Sequence, residues 1–205
     1  MKRLCVLGLL LLFAWLPAAA KSPKGKAAPL VRFEWGLHAG AGLWGYGSVD
    51  GHLGELKGKM GWQAGISAAA VWGRWFLQPE IRYVHNRAEF THPGGAVFDL
   101  KSNVIEVPIL VSVRIARILH LNVGPVVTVM DHCEYTGIGD LSRDVGRTRS
   151  TLGYAVGTAV RLGGHWTVDL RYTGGFRAVK NELWDGGPEI PMRGYAVQLS
   201  AGYVF

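Results

Sequence analysis

RGYAVQLSAGYVF, residues 193–205, ends the chain and alternates between two kinds of side chain along its whole length. The residues between the bulky or apolar positions are mostly small or polar. Such alternation predicts a β-strand with two unlike faces. The fold depends on whether the apolar face of this strand meets a protein core or lipid. That face consists of Tyr195, Val197, Leu199, Ala201, Tyr203 and Phe205.

The N-terminus indicates export. Two basic residues at 2–3 precede an apolar run over 4–16, and three alanines at 18–20 follow it, which is the pattern of a secretory signal peptide. The run is shorter than the roughly 20 residues that cross a bilayer as a helix, so a retained anchor is the less favoured interpretation. We predict a signal peptide at 1–20, a flexible leader at 21–32 and one folded domain at 33–205.

Cysteine content and charge exclude two classes of protein. Cys5 lies in the signal peptide and only Cys133 remains after cleavage, so no intramolecular disulfide can staple the exported chain. The formal net charge is +7, but the basic residues are scattered and no nucleic-acid-binding motif organises them. We therefore expect no nucleic-acid partner.

Two-residue periodicity recurs from residue 33 to the end, and no sustained helical period does. Tight connections alternate with long polar ones, which predicts an all-β, antiparallel up-and-down meander of eight strands. The predicted strands are 33–46, 60–72, 75–90, 100–115, 119–130, 151–162, 166–176 and 193–205. The tight connections are 73–74, 116–118 and 163–164, and the long ones are 47–59, 91–99, 131–150 and 177–192.

Three prolines interrupt these patterns, at Pro79, Pro108 and Pro125. A proline cannot donate to the strand ladder and normally argues against a central strand. Local β-bulges are one way to accommodate them.

The more polar face of the strands is rich in small residues and carries acids and bases in equal number. A soluble barrel would turn this face to water, whereas a narrow transmembrane barrel would turn it inward and pair its charges. So many glycines would cover an outer surface poorly, so we predict an interior ion-pair network. Its members are Glu34, Glu80, Arg82, Glu106, Arg114, Arg161, Asp169 and Arg171.

The apolar face is nearly free of charge, and its aromatic residues gather toward the two ends of the strands. Two aromatic belts around an apolar band are what a bilayer selects. The sequence therefore predicts an eight-stranded transmembrane β-barrel, with a soluble sandwich as the alternative. The predicted interface aromatics are Trp35, Trp72, Trp75, Trp166 and Tyr203 near the tight turns, and Trp62, Tyr83, Tyr172 and Tyr195 near the long loops.

Two segments, LQPEIRYVHNRAEF (77–90) and NVIEVPILVSVRI (103–115), and the terminal aromatic Phe205 carry a family resemblance. The chain resembles the small outer-membrane β-barrel proteins of Bacteroidota, which include the PorT-like proteins. The resemblance implies a Gram-negative outer-membrane location and insertion by the barrel-assembly machinery, with Phe205 as the assembly signal. PorT-type members are linked to protein export, and most members have no established activity.

Few groups of residues in the sequence suggest a catalytic or metal-binding site. His38 with Glu80, Arg82 and Glu106 could form an acid–base cluster, although a small barrel must neutralise its inward charges in any case. A lipid-modifying enzyme would need a histidine near the rim, and the candidates are His85, His92 and His132. The stretch DHCEYTGIGD (131–140) holds metal-ligand residue types at no standard spacing, and an inert thiol is the default for Cys133.

We therefore predict no catalytic residue, cofactor or metal. The leading hypothesis is a non-enzymatic barrel plugged by its own side chains, acting in adhesion, partner docking or envelope integrity through its loops. The alternatives are a lipid-modifying enzyme at the rim and an accessory barrel of a secretion apparatus. Expected partners are outer-membrane lipid and lipopolysaccharide, the assembly machinery, and an envelope protein that contacts the loops.

Overall fold

Alternating side chains build long antiparallel strands in the computed structural model, which describes residues 31–48, 55–91, 95, 97–136, 142–147, 151–176, 179–182 and 189–205. No helix among these residues is long and apolar enough to cross a membrane. The strands are β1 (Arg32–Ser48), β2 (Glu55–Trp72), β3 (Trp75–Thr91), β4 (Val97–Arg114), β5 (Leu119–Thr136), β6 (Ser142–Arg147), β7 (Leu152–Leu162), β8 (Trp166–Gly175), β9 (Val179–Glu182) and β10 (Glu189–Val204).

Eight of these strands close into a barrel in the order β1-β2-β3-β4-β5-β7-β8-β10. The last strand closes the wall by pairing antiparallel with the first, from Gly36 opposite Val204 to Ser48 opposite Met192. The short strands β6 and β9 pair with β5 and β10 outside this ring. The predicted eight-stranded antiparallel barrel is confirmed.

Several strands are longer than predicted at the end that carries the long connections. β2 begins at Glu55 rather than 60, and β5 continues to Thr136 rather than 130. Backbone pairing continues there although the side chains are mostly polar, so hydrophobic alternation stops before the hydrogen-bonded ladder does. We call this end the long-loop rim, and the end with the tight connections the short-turn rim.

The two faces of the barrel reverse the burial found in soluble proteins. Glu80, Arg82 and Gln198 are each only 1 % exposed, whereas Leu43 is 59 % and Leu199 57 % exposed. Charged residues are almost never fully buried unless they are paired, and an apolar surface of this extent marks contact with a partner or a membrane. The apolar face of the strands therefore points outward and meets lipid.

The prolines are accommodated without bulges. Each proline lies in a short gap of the ladder, where two residues of its strand and the two facing them on one neighbouring strand form no bridge. The gap lies between β2 and β3 at Pro79, between β3 and β4 at Pro108, and between β4 and β5 at Pro125. The register on the two sides of each gap is unchanged, so the bulge interpretation is wrong. Two consecutive residue pairs are therefore unbridged at each proline, and the alignment of the strands is unchanged.

Bulges occur elsewhere, toward the long-loop rim. The register shifts between Lys59 and Trp62 in β2, and between Ile105 and Glu106 at the β4–β5 pairing. Bulges increase local twist and are frequent at barrel rims.

The tight connections contain glycines in left-handed backbone conformations. Gly73 has φ +63°, and Gly163 and Gly164 have φ +60° and +84°. Other residues rarely adopt such angles, so these glycines allow the tight reversals over 73–74 and 163–165 at the short-turn rim.

Candidate functional site

The barrel interior contains a charged pair that spans its full width. β3 and β8 stand opposite each other in the eight-strand ring, and Glu80 and Arg171 reach across between them. Arg171 donates from Nη1 to Glu80 Oε2 at 2.7 Å and from Nη2 to Oε1 at 3.1 Å. A bidentate pair of this kind combines charge with a fixed geometry.

Neighbouring side chains complete this first layer. Gln78 donates to Glu80 Oε1 at 2.8 Å. Asp169 lies 3.0 Å from Arg171 Nε and accepts a hydrogen bond from Asn122 at 2.8 Å. The layer therefore joins side chains from β3, β5 and β8 across the lumen.

A second layer forms around Arg82, toward the long-loop rim. Its guanidinium lies 2.6 Å from Glu106 through Nη2 and donates to the same oxygen from Nε at 2.8 Å. Its Nη1 donates to Gln63 at 3.2 Å and to Gln198 at 2.9 Å. Arg82 thus connects β2, β3, β4 and β10. Above it, toward the long-loop rim, Trp44, Val84, Val104 and Ala196 form an apolar cluster inside the barrel.

A third charged group lies near the short-turn rim. Arg161 of β7 donates to Glu34 of β1 at 2.8 Å, and Arg32 donates to the same carboxylate at 2.5 Å. Arg114 differs from the other predicted interior charges, because its guanidinium lies 5.2 Å above the ring of Phe76. Among the side chains that the structure describes, no carboxylate pairs with Arg114.

The layers depend on amides that the charge-based sequence prediction missed, among them the buried Gln63, Asn122 and Gln198. Each occupies an inward position of its strand and is buried. Alternation along β2, β5 and β10 predicts that these side chains point inward. An amide carries no charge, however, so a prediction based on charge balance does not select it.

A small cavity of about 80 Å³ lies between the first layer and the short-turn rim. His38, Glu80, His120 and Asn122 contribute to its lining. Both carboxylates of the proposed acid–base cluster are held by arginines, and His38 Nε2 is buried with no hydrogen-bond partner among the described residues. The geometry is that of a neutralised interior with room for a few water molecules, at about 30 Å³ each.

Aromatic side chains occupy both ends of the outer face. At the short-turn rim Trp166 contacts Tyr203 with ring centroids 5.2 Å apart, and Trp72 stands opposite Trp75 in the β2–β3 pairing. At the long-loop rim Trp62 and Tyr83 have ring centroids 5.5 Å apart. The remaining predicted interface aromatics, Trp35, Tyr172 and Tyr195, are exposed on the same outer face.

Phe205 lies at the short-turn rim beside the first strand. Its backbone nitrogen donates to the carbonyl of Trp35 at 2.8 Å, while its side chain is 69 % exposed. The terminal ring packs against Tyr203 in a T-shaped arrangement, with ring centroids 5.1 Å apart.

Of the three histidines proposed for lipid chemistry, the structure describes the side chain of His85, which contacts an amide rather than a nucleophile. His85 lies on the outer face, with Nδ1 2.7 Å from Asn103 Oδ1, and Tyr83 donates to the same oxygen at 2.8 Å. His92 lies outside the described residues, and only the backbone of His132 and Cys133 is described. Within the described ranges no three metal-ligating side chains come together, and the side chains of 131–140 lie outside them.

Beyond the aromatic belt at the long-loop rim, the strand extensions carry an exposed ion triad. Lys59 of β2 lies 2.7 Å from Glu89 of β3 and 2.8 Å from Asp99 of β4. The hydrogen bond from Lys59 lowers the pKa of Asp99 below its ordinary value. The hydrogen bonds to Asp99 and then Glu89 raise the pKa of Lys59.

Replacing Lys59 by methionine is expected to raise the pKa of Asp99 toward its ordinary value. Because the pKa of Asp99 is depressed in the folded state, its stabilising contribution is present above the unfolded-state pKa and is lost as the pH falls. A pH titration of the Asp99 carboxyl by NMR measures the shift. Lys101→Met is the control, since Lys101 acts on Asp99 only through space and should move this pKa less.

A closed antiparallel barrel with an apolar outer band, aromatic residues at both ends and charged pairs inside defines an integral outer-membrane β-barrel protein. The chain belongs to the family described as the outer membrane protein beta-barrel domain, which matches residues 6–205. Its location is the outer membrane of a Gram-negative bacterium.

Solved structures share the fold at low sequence identity. Neisserial surface protein A is 12% identical with a TM-score of 0.58, covering 82% of this chain and 96% of its own. Ail, the attachment invasion locus protein of Yersinia pestis, is 15% identical with a TM-score of 0.52, covering 84% and 98%. At these identities the likeness concerns the fold alone. No curated protein sequence matches the chain.

Proposed function

We propose that this protein is a non-enzymatic outer-membrane barrel whose interior is closed by its own side chains and which acts through its long-loop rim. The observation that carries the proposal is the Glu80–Arg171 pair, which bridges opposite walls at 2.7 Å. Short turns face the periplasm and longer loops the exterior in barrels of this class. Adhesion, partner docking and envelope integrity are the activities this arrangement supports.

The two interior layers support closure because they hold five of the eight predicted interior charges in ion pairs inside the barrel. Arg82 and Arg171 engage Glu106, Glu80 and Asp169, and the apolar cluster at Trp44 fills the lumen above them. An eight-stranded barrel leaves room for little more than its own side chains. A solute path would require both arginines to leave their partners at once.

Conductance across a planar bilayer tests the closed interior. The folded wild-type barrel is expected to give no steady current, while a variant with Arg82→Ala and Arg171→Ala is expected to conduct ions. Arg74→Ala with Arg117→Ala removes the same charge from exposed turn positions and should stay closed. A conducting wild-type protein would contradict the plug, and a closed double-alanine variant would show that these layers do not form it.

We also propose that Phe205 acts as an assembly signal rather than as a stabilising contact. Its exposed ring contributes little to packing, so Phe205→Ala should refold in detergent with nearly wild-type stability. The same variant should reach the outer membrane in lower amount in cells, measured by membrane fractionation. Leu199→Ala, also exposed on β10, is the matched control. Equal membrane levels for both variants would contradict this role.

We further propose that the chain is one of the Bacteroidota members of its family, on the strength of the resemblance of residues 77–90 and 103–115 to the PorT-like barrels. If it also serves protein export, the folded barrel should hold a secretion component through washing at high salt. Recovery of the barrel alone would remove that role and leave the proposal of a plugged barrel standing.

A further inference from the structure

Three cations stand side by side on neighbouring strands at the long-loop rim. The backbone register places Lys59 of β2 opposite Arg87 of β3, and Arg87 opposite Lys101 of β4. We call these three residues the cation row. Directly opposed side chains have Cβ atoms about 4.5–5.5 Å apart, and like charges in such pairs destabilise a sheet. The row therefore carries an electrostatic cost in the protein alone.

Among the described side chains, Lys59 is the member of the cation row that carboxylates hold in direct ion pairs. Lys59 is held by Glu89 and Asp99, both within 2.8 Å of its Nζ. Arg87 and Lys101 are exposed, and in the part of the chain that the structure describes no carboxylate forms an ion pair with either. On the next strand, Glu134 of β5 lies opposite Lys101 in the register, and its side chain is not among those that the structure describes. Within the described side chains, Arg87 and Lys101 stand side by side without a direct ion-pair partner.

The height of the cation row matches the headgroup region of a membrane. Alternation places Arg87 and Lys101 on the outer, lipid-facing side, in the row just beyond His85 and Asn103. The bulge between Lys59 and Trp62 brings Lys59 to the same side. Two residues of strand advance about 7 Å along the strand axis. The polar region of a bilayer adds roughly 5–7 Å to each side of the hydrocarbon core. The aromatic belt thus marks the edge of the hydrocarbon, and the cations lie where phosphates of the outer leaflet are found.

We propose that Arg87 and Lys101, with Lys59 positioned beside them, bind the phosphate groups of lipopolysaccharide in the outer leaflet. The inference rests on the proposed orientation, in which the long-loop rim faces the cell exterior. A phosphate between the two free cations removes their mutual repulsion, and the arginine fork can donate two parallel hydrogen bonds to it. Lys59 stays held by Glu89 and Asp99, so the charge that attracts the phosphate comes from Arg87 and Lys101.

Binding of lipopolysaccharide by the folded chain in zwitterionic detergent micelles tests this site. The variant with Arg87→Gln and Lys101→Gln is expected to bind about 30-fold more weakly, from the usual contribution of two basic residues at an anionic lipid surface. The matched control replaces Arg74 and Arg117, exposed cations of the short turns, by glutamine and should bind as the wild type does. Exchanging the two residues, Arg87→Lys with Lys101→Arg, keeps the charge and should retain most of the affinity.

Two further arms identify the ligand chemistry. Enzymatically dephosphorylated lipopolysaccharide should bind the wild type as weakly as intact lipopolysaccharide binds the glutamine variant. Inorganic phosphate at millimolar concentration should not displace the glycolipid, and displacement by it would overturn a lipid-specific site. Undiminished binding by the glutamine variant, or an equal loss in the turn control, would also overturn the proposal.

Gel mobility of unheated and boiled samples separates failure of the site from failure of the barrel. Every variant changes only exposed side chains, so each should give the heat-modifiable species of a folded barrel. A wild-type chain without that species would overturn the orientation and the site together. A folded wild type that does not discriminate between phosphorylated and phosphate-free glycolipid would overturn the site alone.

Discussion

Replacing Gly124 by alanine is expected to destabilise the barrel by about 3 kcal/mol or to prevent its folding. A Cβ atom at this position would lie 1.9 Å from the carbonyl oxygen of Ile109 and 3.0 Å from Leu110 Cα. Both are backbone atoms of the neighbouring strand, so no side-chain rotation can relieve the overlap. The free energy of unfolding in detergent, with the yield of heat-modifiable protein, measures the effect.

The overlap falls where the strand ladder is interrupted. Pro125 lacks a backbone N–H, and β4 and β5 have no bridge between the pairs Pro108–Val126 and Val111–Val123. A barrel in lipid has no water to satisfy a carbonyl left open there.

Gly36→Ala is the matched control for Gly124→Ala. A Cβ at Gly36 would meet Ser67 Oγ at 2.9 Å, which can rotate away, and the Tyr203 carbonyl at 3.2 Å. A loss clearly smaller than that of Gly124→Ala is expected. Equal stability losses at the two positions would show that the β4–β5 contact has no special importance.

Replacing Arg171 by methionine is expected to lower the free energy of unfolding by about 3–5 kcal/mol, the usual cost of removing one partner from a buried ion pair. Glu80, at 1 % exposure, would lose its bidentate partner across the lumen, and Asp169 would lose the same partner. Denaturant unfolding in lipid vesicles, followed by tryptophan fluorescence, gives the change.

A second variant tests the origin of that cost. Combining Arg171→Met with Glu80→Gln removes the unpaired carboxylate, so the double variant should be more stable than Arg171→Met alone. Arg74→Met, in an exposed turn, should change stability by no more than about 0.5 kcal/mol. If the double variant is as unstable as the sum of its single changes, the two residues do not act as a pair.

Local sequence determined the number of barrel strands, the face each residue occupies and the position of the tight turns. These properties follow from side-chain alternation along a single strand, such as residues 193–205, and from glycines such as Gly73. The outer-membrane location follows from the same alternation, since an apolar outer face needs lipid. The length of the rim strands did not follow, because pairing continued where hydrophobicity had ended.

Tertiary structure alone decided which residues meet. Glu80 and Arg171 are 91 residues apart and face each other only because ring closure sets β3 opposite β8. Arg114 carries the same charge as its neighbours, yet it meets the ring of Phe76. The cation row depends on the register of three strands, and a shift by one residue would turn those side chains to the other face. Alternation gives the direction of a side chain, whereas the partner it reaches is fixed by the register and closure of the whole barrel.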